Sequence, residues 1–113
     1  MATDKGQGLT SKKCAPCEAG TPPLTETDAR TYLADVPQWR LEGNKLVREL
    51  KLKDFKEALA FVNQVGDIAE DEGHHPDIHV SYNRVTLELW THAIDGLSEN
   101  DFIVAAKVDA LGR

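Results

Sequence analysis

The sequence predicts an α+β fold, a four-stranded antiparallel sheet with helices packed on one face, in the order α-β-β-α-β-β-α. Three observations lead to this prediction. Two pairs of short segments alternate apolar and polar residues on either side of a turn. Between the pairs, one long stretch repeats apolar residues at helical spacing. Each helical segment begins with a capping sequence, and a chain of 113 residues has the length of one domain.

Residues 1–23 precede this pattern and are expected to form a mobile tail, which leaves residues 24–113 as a single domain. The tail is rich in Gly, Thr, Ser, Lys and Pro and has few large apolar side chains. Its Cys14 and Cys17 form a C-x-x-C motif, which is typical of a redox pair or half of a zinc site. Because the chain has no further cysteine, we favour two exposed thiols, and a zinc site shared between two chains stays open.

The first helix and the first hairpin follow the tail. Thr25 and Asp28 have the spacing of a capping box, and Pro37 ends the helix. Gly43-Asn44 is a turn signal between residues 38–42 and 45–52, which therefore predict a β-hairpin. The apolar residues expected to face inward from these elements are Ala29, Tyr32, Leu33, Val36, Leu46, Leu50 and Leu52.

The second helix has the clearest periodicity. Asp54 and Glu57 cap its start, and the helix is expected to run to about Glu72 and to stop at Gly73. A helix of this length buries one stripe on the sheet. That stripe is expected to comprise Phe55, Ala58, Leu59, Val62, Val65 and Ala69.

A second hairpin follows, with Asn83-Arg84 as its expected turn. Its first strand alternates Ile78, Val80 and Tyr82 with polar residues. In its second strand Val85, Leu87 and Leu89 are expected to face the helices. The opposite face then carries Thr86, Glu88, Trp90 and His92. A Trp and a His on that side suggest a pocket or a subunit contact.

The last helix begins after Gly96, where Ser98 and Asp101 form a third capping box. Its inner face is expected to contain Phe102, Ile103, Ala105 and Ala106. One face of the sheet would stay bare in a monomer. We therefore expect a homodimer or homotetramer, formed through an edge strand or through the helices.

The net charge is −6, from 13 basic and 19 acidic residues. Residues 1–20 carry three lysines and two carboxylates, so the remainder carries −7. An acidic body argues against direct binding to nucleic acid or to an anionic membrane. The sequence has no long apolar run and no apolar signal region at its start, so we expect a cytoplasmic protein.

All four histidines lie between Glu70 and His92. Gly73 and Pro76 flank His74 and His75, which predicts a rigid turn between a helix and a strand. His92 follows His75 by seventeen residues, enough to run along two strands and return to the same edge. Because imidazole exchanges protons near neutral pH, His74, His75 and His92 are the candidates for acid–base catalysis.

Two carboxylates are candidates to support these histidines. Glu70 lies one helical turn before His74 and can orient it. Asp101 can do the same for His92, or only cap the last helix.

A zinc site and a helix cap are the alternative roles for histidines in this segment. His75 and His79 have the spacing of a helical zinc motif, but Gly73 and Pro76 disfavour a helix there. His79 is more simply an exposed strand residue. A histidine at the end of a helix can also serve only as a cap, yet an adjacent pair together with His92 favours a functional site. The sequence contains no phosphate-binding loop and no nucleophile elbow.

The spaced pattern from Glu70 to Asp101 resembles the pterin-4a-carbinolamine dehydratases, also known in animals as dimerisation cofactors of a homeodomain transcription factor. The residues that carry the resemblance are Glu70, His74-His75-Pro76, Tyr82, Val85, Thr91-His92 and Gly96–Asp101. The resemblance spans about residues 24–110. The positions Asp77-Ile78-His79 depart from it, because aromatic residues are common there in the family.

The resemblance implies dehydration of 4a-hydroxytetrahydropterin to quinonoid dihydropterin, which recycles the cofactor of aromatic amino acid hydroxylases. It implies no metal and no cofactor, a dimer or tetramer, and a hydroxylase as a possible partner. It assigns His74, His75 and His92 to catalysis and pterin contact. It places Pro76 and Thr91 in the same pocket, with Glu70 and Asp101 as support. A competing hypothesis is an assembly or coactivator module with the same fold, but such relatives tend to lose His-His-Pro.

Overall fold

The structure is a computed structural model that describes residues 5–16 and 20–112. The helices are α1 (Lys5–Thr10), α2 (Glu26–Leu33), α3 (Phe55–Glu72) and α4 (Glu99–Asp109). The strands are β1 (Arg40–Glu42), β2 (Lys45–Lys51), β3 (Asp77–Ser81) and β4 (Arg84–Leu89), and a 3-10 turn at His92–Ile94 precedes α4. The predicted α+β class is confirmed, with α1 added before the predicted order. Within the described ranges, no helix is both long and apolar enough to cross a membrane.

The sheet has the strand order β1-β2-β4-β3, and every neighbouring pair is antiparallel. Each hairpin contributes one edge strand and one central strand. The first hairpin turns at Gly43-Asn44, as predicted. In the second, Ser81 pairs with Arg84, so the turn is Tyr82-Asn83 and the predicted Asn83-Arg84 is wrong by one residue. Tyr82 takes a positive φ of 53°, a conformation that sequence patterns rarely assign to tyrosine.

The core lies between the sheet and the helices. Val85, Leu87 and Leu89 of β4 are fully buried, as the alternation predicted. The predicted stripe of α3 is confirmed at Ala58, Val65 and Ala69, which are buried. It is wrong at Phe55 and Leu59, which are 48% and 43% exposed, and Phe61 is buried instead, so the buried face is rotated from the prediction. The residues of α3 that are buried are Ala58, Phe61, Val65, Ala69 and Glu72.

Helix α4 is the central helix and contacts α1, α2 and α3. It is buried on almost all sides, so Val104 and Val108 join the predicted inner residues in the core. This central position places the first turn of α4 against the end of α3, where the histidine turn begins.

The described part of the N-terminal segment packs against the domain. Leu9 of α1 is 1% exposed and belongs to the core, a contribution that the composition of the segment did not indicate. The mobility predicted for residues 1–23 stays a prediction. Cys17, the second cysteine of the C-x-x-C motif, lies outside the described residues.

Candidate active site

The histidine turn is fixed by the way α3 ends. Gly73 takes the left-handed conformation, with φ 65° and ψ 28°, and its N–H donates to the carbonyl of Ala69. The N–H of His74 donates to the same carbonyl at 3.2 Å. Pro76 then leads directly into β3. His74 and His75 are therefore held between a capped helix and a strand.

A cleft of about 650 Å³ opens beside this turn. This volume lies in the usual range for small-molecule sites. The cleft brings together residues from the turn and from the segment after β4, as the sequence predicted. The predicted site residues that line it are His74, His75, Pro76, Thr91 and His92.

Asp101 organises the inner side of the cleft. It is fully buried, and its Oδ1 lies 2.6 Å from Nε2 of His74. Its Oδ2 accepts hydrogen bonds from the hydroxyl of Thr91 and the N–H of Ser98, both at 2.9 Å. A buried carboxylate requires such donors. The same side chain thus caps α4 and orients His74.

The tautomer of His74 follows from this pairing. An ionised carboxylate only accepts hydrogen bonds, so the hydrogen-bond network assigns the proton of the neutral ring to Nε2. Nδ1 is then the nitrogen that can accept a proton. His74 has 13% of its side chain exposed, which suits a group that contacts a ligand from a protein wall.

Glu70 pairs with His75, since its Oε2 lies 2.6 Å from Nε2 of that ring. Both side chains are exposed, at 80% and 58%. The sequence had suggested Glu70 for His74 and Asp101 for His92, and the structure pairs them differently. The i, i+4 pairing would require the helix to continue through His74, whereas α3 ends at Glu72 and the chain reverses at Gly73.

His92 enters the cleft from the 3-10 turn after β4 and stacks on Trp90, with ring centroids 4.0 Å apart. The ammonium of Lys45 lies 5.7 Å from the Trp90 ring. Trp90 and His92 both line the cleft, so of the two roles suggested for them, a pocket or a subunit contact, the structure shows the pocket.

His79 lies apart from the cleft. It is 63% exposed on β3, with its Nε2 3.6 Å from Glu88. It is an exposed strand residue, as the sequence indicated. In the part of the chain that the structure describes, no group of three or more His, Cys, Asp or Glu side chains is arranged to hold a metal ion.

Glu72 is a site residue that sequence reasoning missed. Its side chain is 1% exposed and accepts hydrogen bonds from the N–H of Cys14 at 2.8 Å and from Nζ of Lys107 at 2.5 Å. Burial alone would raise the pKa of Glu72, but these two donors outweigh it and lower the pKa to about 2. The available signal was its position, seven residues after Val65 on the buried face of α3.

Cys14 was assigned to a tail but lines the cleft, as do Ala15 and Pro16. Burial and the nearby carboxylate of Glu72 raise the pKa of the Cys14 thiol to about 12. The thiol is therefore protonated at neutral pH and is a weak nucleophile.

Comparisons with known proteins agree with one another. Residues 22–111 match the family described as Pterin 4 alpha carbinolamine dehydratase. A relative from Alkaliphilus metalliredigens, provisionally named as such a dehydratase, is 50% identical over 103 residues, covering 89% of this chain and 93% of the relative. Pterin-4-alpha-carbinolamine dehydratase 2 of Arabidopsis thaliana is 49% identical over 91% of this chain and 58% of that mitochondrial protein.

A solved structure from Brucella melitensis, described as a transcriptional coactivator/pterin dehydratase, superposes with a TM-score of 0.76. It is 34% identical, and the match covers 80% of this chain and 99% of that one. The family match and the curated relatives cover most of the chain, and the histidine turn lies inside the matched residues. The chain therefore belongs to the pterin-4a-carbinolamine dehydratase family.

Proposed function

We propose that this protein removes water from 4a-hydroxytetrahydropterin to give quinonoid dihydropterin, by acid–base catalysis on His74, His75 and His92. One observation carries the proposal: the three imidazoles share a single cleft, and the buried Asp101 fixes the first of them. The names of the Arabidopsis and Brucella relatives support the same reaction.

The reaction needs two proton transfers. The bond between C4a and its hydroxyl oxygen breaks, and the oxygen leaves as water after taking a proton from an acid. The N5 proton passes to a base, and the electron pair of the broken N5–H bond forms the C4a–N5 double bond. Imidazoles can fill both roles near neutral pH. Dehydration changes no oxidation state, so no electron carrier takes part in these steps.

His74 suits the base. Its Nε2–H is held by Asp101, which leaves Nδ1 to accept the N5 proton. The carboxylate also stabilises the imidazolium that forms, as charged hydrogen bonds do. His75 and His92 then serve the leaving hydroxyl, with Pro76 and Thr91 lining the pocket and Glu70 orienting His75.

Turnover of single His→Ala variants tests the assignment. Dehydration of 4a-hydroxytetrahydropterin would be followed for the wild type, for each of His74→Ala, His75→Ala and His92→Ala, and for the triple variant. We expect the single variants at essential positions to lose about 10²- to 10⁴-fold in kcat. His79→Ala is the matched control, because His79 is a histidine outside the cleft, and its rate is expected to stay within about twofold.

Two results would contradict the proposal at different levels. Full turnover in all three single variants would remove the histidine assignment while leaving the dehydratase intact. A folded wild type that gives no acceleration over the spontaneous reaction would remove the dehydratase itself. The second candidate, a coactivator or assembly module, would then be preferred, since the Brucella relative is also described as a coactivator.

The proposal includes a setting for the enzyme. We expect the enzyme to be cytoplasmic and to form a homodimer or homotetramer. We expect an aromatic amino acid hydroxylase to supply the hydroxylated pterin. The exposed apolar side chains of α3 support self-association. Copurification of a hydroxylase activity with the tagged protein would test the partner.

A further inference from the structure

We propose that residues 11–16, here called the N-terminal strap, form one wall of the substrate site, and that Glu72 and Asn100 position this wall. The inference rests on the proposed function, because the cleft is the site of that reaction. The strap precedes residues 22–111, so the family match does not include it.

Asn100 binds the strap through the backbone of Ala15. Its Oδ1 accepts the N–H of Ala15 at 3.0 Å, and its Nδ2 donates to the carbonyl of Ala15 at 2.6 Å. Asn100 is only 8% exposed, so its amide depends on protein partners for its hydrogen bonds. Because both hydrogen bonds go to one residue, they fix the direction of the strap as well as its distance from α4.

Glu72 binds the strap one residue earlier, at the backbone of Cys14. It accepts the N–H of Cys14 at 2.8 Å while Lys107 neutralises its charge from the other side. A carboxylate with a side chain 1% exposed is stable only with such donors. The strap therefore satisfies a buried charge of the domain, which is a reason for it to dock in this one way.

Two exposed ion pairs continue the contact. Lys12 lies 2.5 Å from Glu99, and Lys13 lies 3.1 Å from Asp71. Exposed pairs of this kind contribute little to stability, because solvent screens them. The four successive residues 12–15 nevertheless all contact α3 or α4, so the strap follows the domain along its length.

The residues that hold the strap are neighbours of the residues that hold His74. Glu72 precedes His74 by two residues, and Asn100 precedes Asp101 by one. The strap therefore rests beside both ends of the His74–Asp101 pair. Its residues 14–16 face the same cleft as the three histidines. We therefore expect a substrate in that cleft to contact them.

The strap is expected to contact the substrate but not to transfer protons. Ala15 and Pro16 carry no titratable side chain, and the pKa of the Cys14 thiol is raised to about 12, so this thiol is no base at neutral pH. Changes in the strap are therefore expected to alter substrate binding and KM, with little effect on kcat.

A cysteine scan tests the contact directly. Pro16→Cys in a Cys14→Ser/Cys17→Ser background places an exposed thiol on the wall of the cleft. Ser11→Cys in the same background is the matched control, an exposed strap position that is not among the residues lining the cleft. Alkylation by a maleimide would be timed with increasing 7,8-dihydropterin, a stable relative of the product, and each variant would also be assayed for dehydration.

We expect dihydropterin to slow alkylation of Pro16→Cys at least fivefold and to leave Ser11→Cys unchanged. The strap proposal alone would be overturned if Pro16→Cys still dehydrates the pterin but its alkylation rate is the same with and without dihydropterin. An unaccelerated reaction in the wild type would overturn the proposed function instead, and the alkylation rates would still decide whether the strap borders the ligand.

A double-mutant cycle tests the positioning role. Asn100→Asp keeps one acceptor but loses the donor to Ala15, and Ala15→Pro removes the N–H that Asn100 accepts. Each is expected to raise KM about tenfold with kcat within twofold, and the double variant to be no worse than the worse single one. Additive effects on KM, or equal losses in kcat, would contradict positioning through this contact.

Discussion

Two carboxylate–histidine pairs have the same separation of 2.6 Å but differ in how much water reaches them. Asp101 is fully buried against His74, whereas Glu70 and His75 are both exposed. Exposed pairs are screened by solvent, whereas a buried carboxylate acts at close range in a less polar medium. The two pairs should therefore differ in their importance to catalysis.

Asp101→Asn is expected to lower kcat by about 10²-fold or more, because the amide no longer stabilises the protonated His74 and can favour the wrong tautomer. Glu70→Gln is the matched substitution at the exposed pair and is expected to change kcat by less than about threefold. Steady-state dehydration rates, with circular dichroism to verify folding, are the measurement. Equal losses from the two variants would show that burial does not distinguish the pairs.

Glu72 permits a prediction about stability. Glu72→Gln removes the charge that pairs with Lys107 and is expected to lower the free energy of unfolding by about 2 kcal/mol at pH 7. This loss of stability is smaller than the loss expected on breaking a fully buried ion pair, because the Lys107 side chain is 18% exposed and can reach water. Urea unfolding of both proteins measures the difference.

The pH dependence of that difference has a definite sign. The pKa of Glu72 is lowered from 4.5 to about 2 in the folded protein, so its stabilisation is complete above pH 4.5 and is lost as the pH falls toward 2. The gap between wild type and Glu72→Gln should therefore shrink across that window. Glu26→Gln, at an exposed pair with Arg30, is the control and should give no measurable gap. A Glu72→Gln gap that stays constant down to pH 2 would contradict the assignment.

At the scale of elements, the junction between α3 and β3 sets the position of the histidines. Gly73→Ala is expected to destabilise the protein by about 1 kcal/mol, because a side chain is disfavoured at φ 65° even though no atom crowds the position. Gly73→Asn should cost less, since asparagine tolerates this conformation. Thermal unfolding of the three proteins measures the order. Equal melting temperatures for Ala and Gly would show that the turn relaxes.

The sequence predicted most of the elements because their signals are local. Alternation, turn residues and capping boxes located both hairpins and three helices. The rotation of α3 was not predictable in this way, because two apolar strips run along it. One strip passes through Phe55, Leu59 and Val62, and the other through Phe61 and Val65. Which of them faces the core depends on α4 and the sheet, which the local pattern does not contain.

The site was predictable where it depended on spacing along the chain. The three histidines of the cleft were identified, but their carboxylate partners were not. Asp101 pairs with His74 and Glu70 with His75, because the pairing depends on how the chain turns at Gly73. Arg48 shows the same limit on β2. It has the inner parity of Leu46 and Leu50 and is buried because Asp109 accepts from it at 2.6 Å. Contacts between distant segments decide such partners.

At the scale of the whole molecule, Phe55 and Leu59 form an exposed apolar strip on α3, here called the outer strip. Phe55 and Leu59 lie one helical turn apart and are both more than 40% exposed, with the partly buried Val62 next in line. Large apolar side chains grouped on one helix face are typical of a contact with another molecule. A second copy of the chain is the partner we expect, since a homo-oligomer with two-fold symmetry presents the same strip to itself.

Phe55→Ser/Leu59→Ser is expected to convert the proposed oligomer to a smaller species, because the apolar contact area across the two helices is lost. Light scattering after size exclusion, at equal protein concentration, gives the mass. Lys56→Ser, an exposed neighbour on the same helix, is the control and should keep the wild-type mass. If the double variant also keeps that mass, association runs through another surface. The edge strand β3 is then the alternative, since it carries exposed Val80 and is followed by exposed Tyr82 in the turn. Val80→Asp would then be the substitution that dissociates the oligomer.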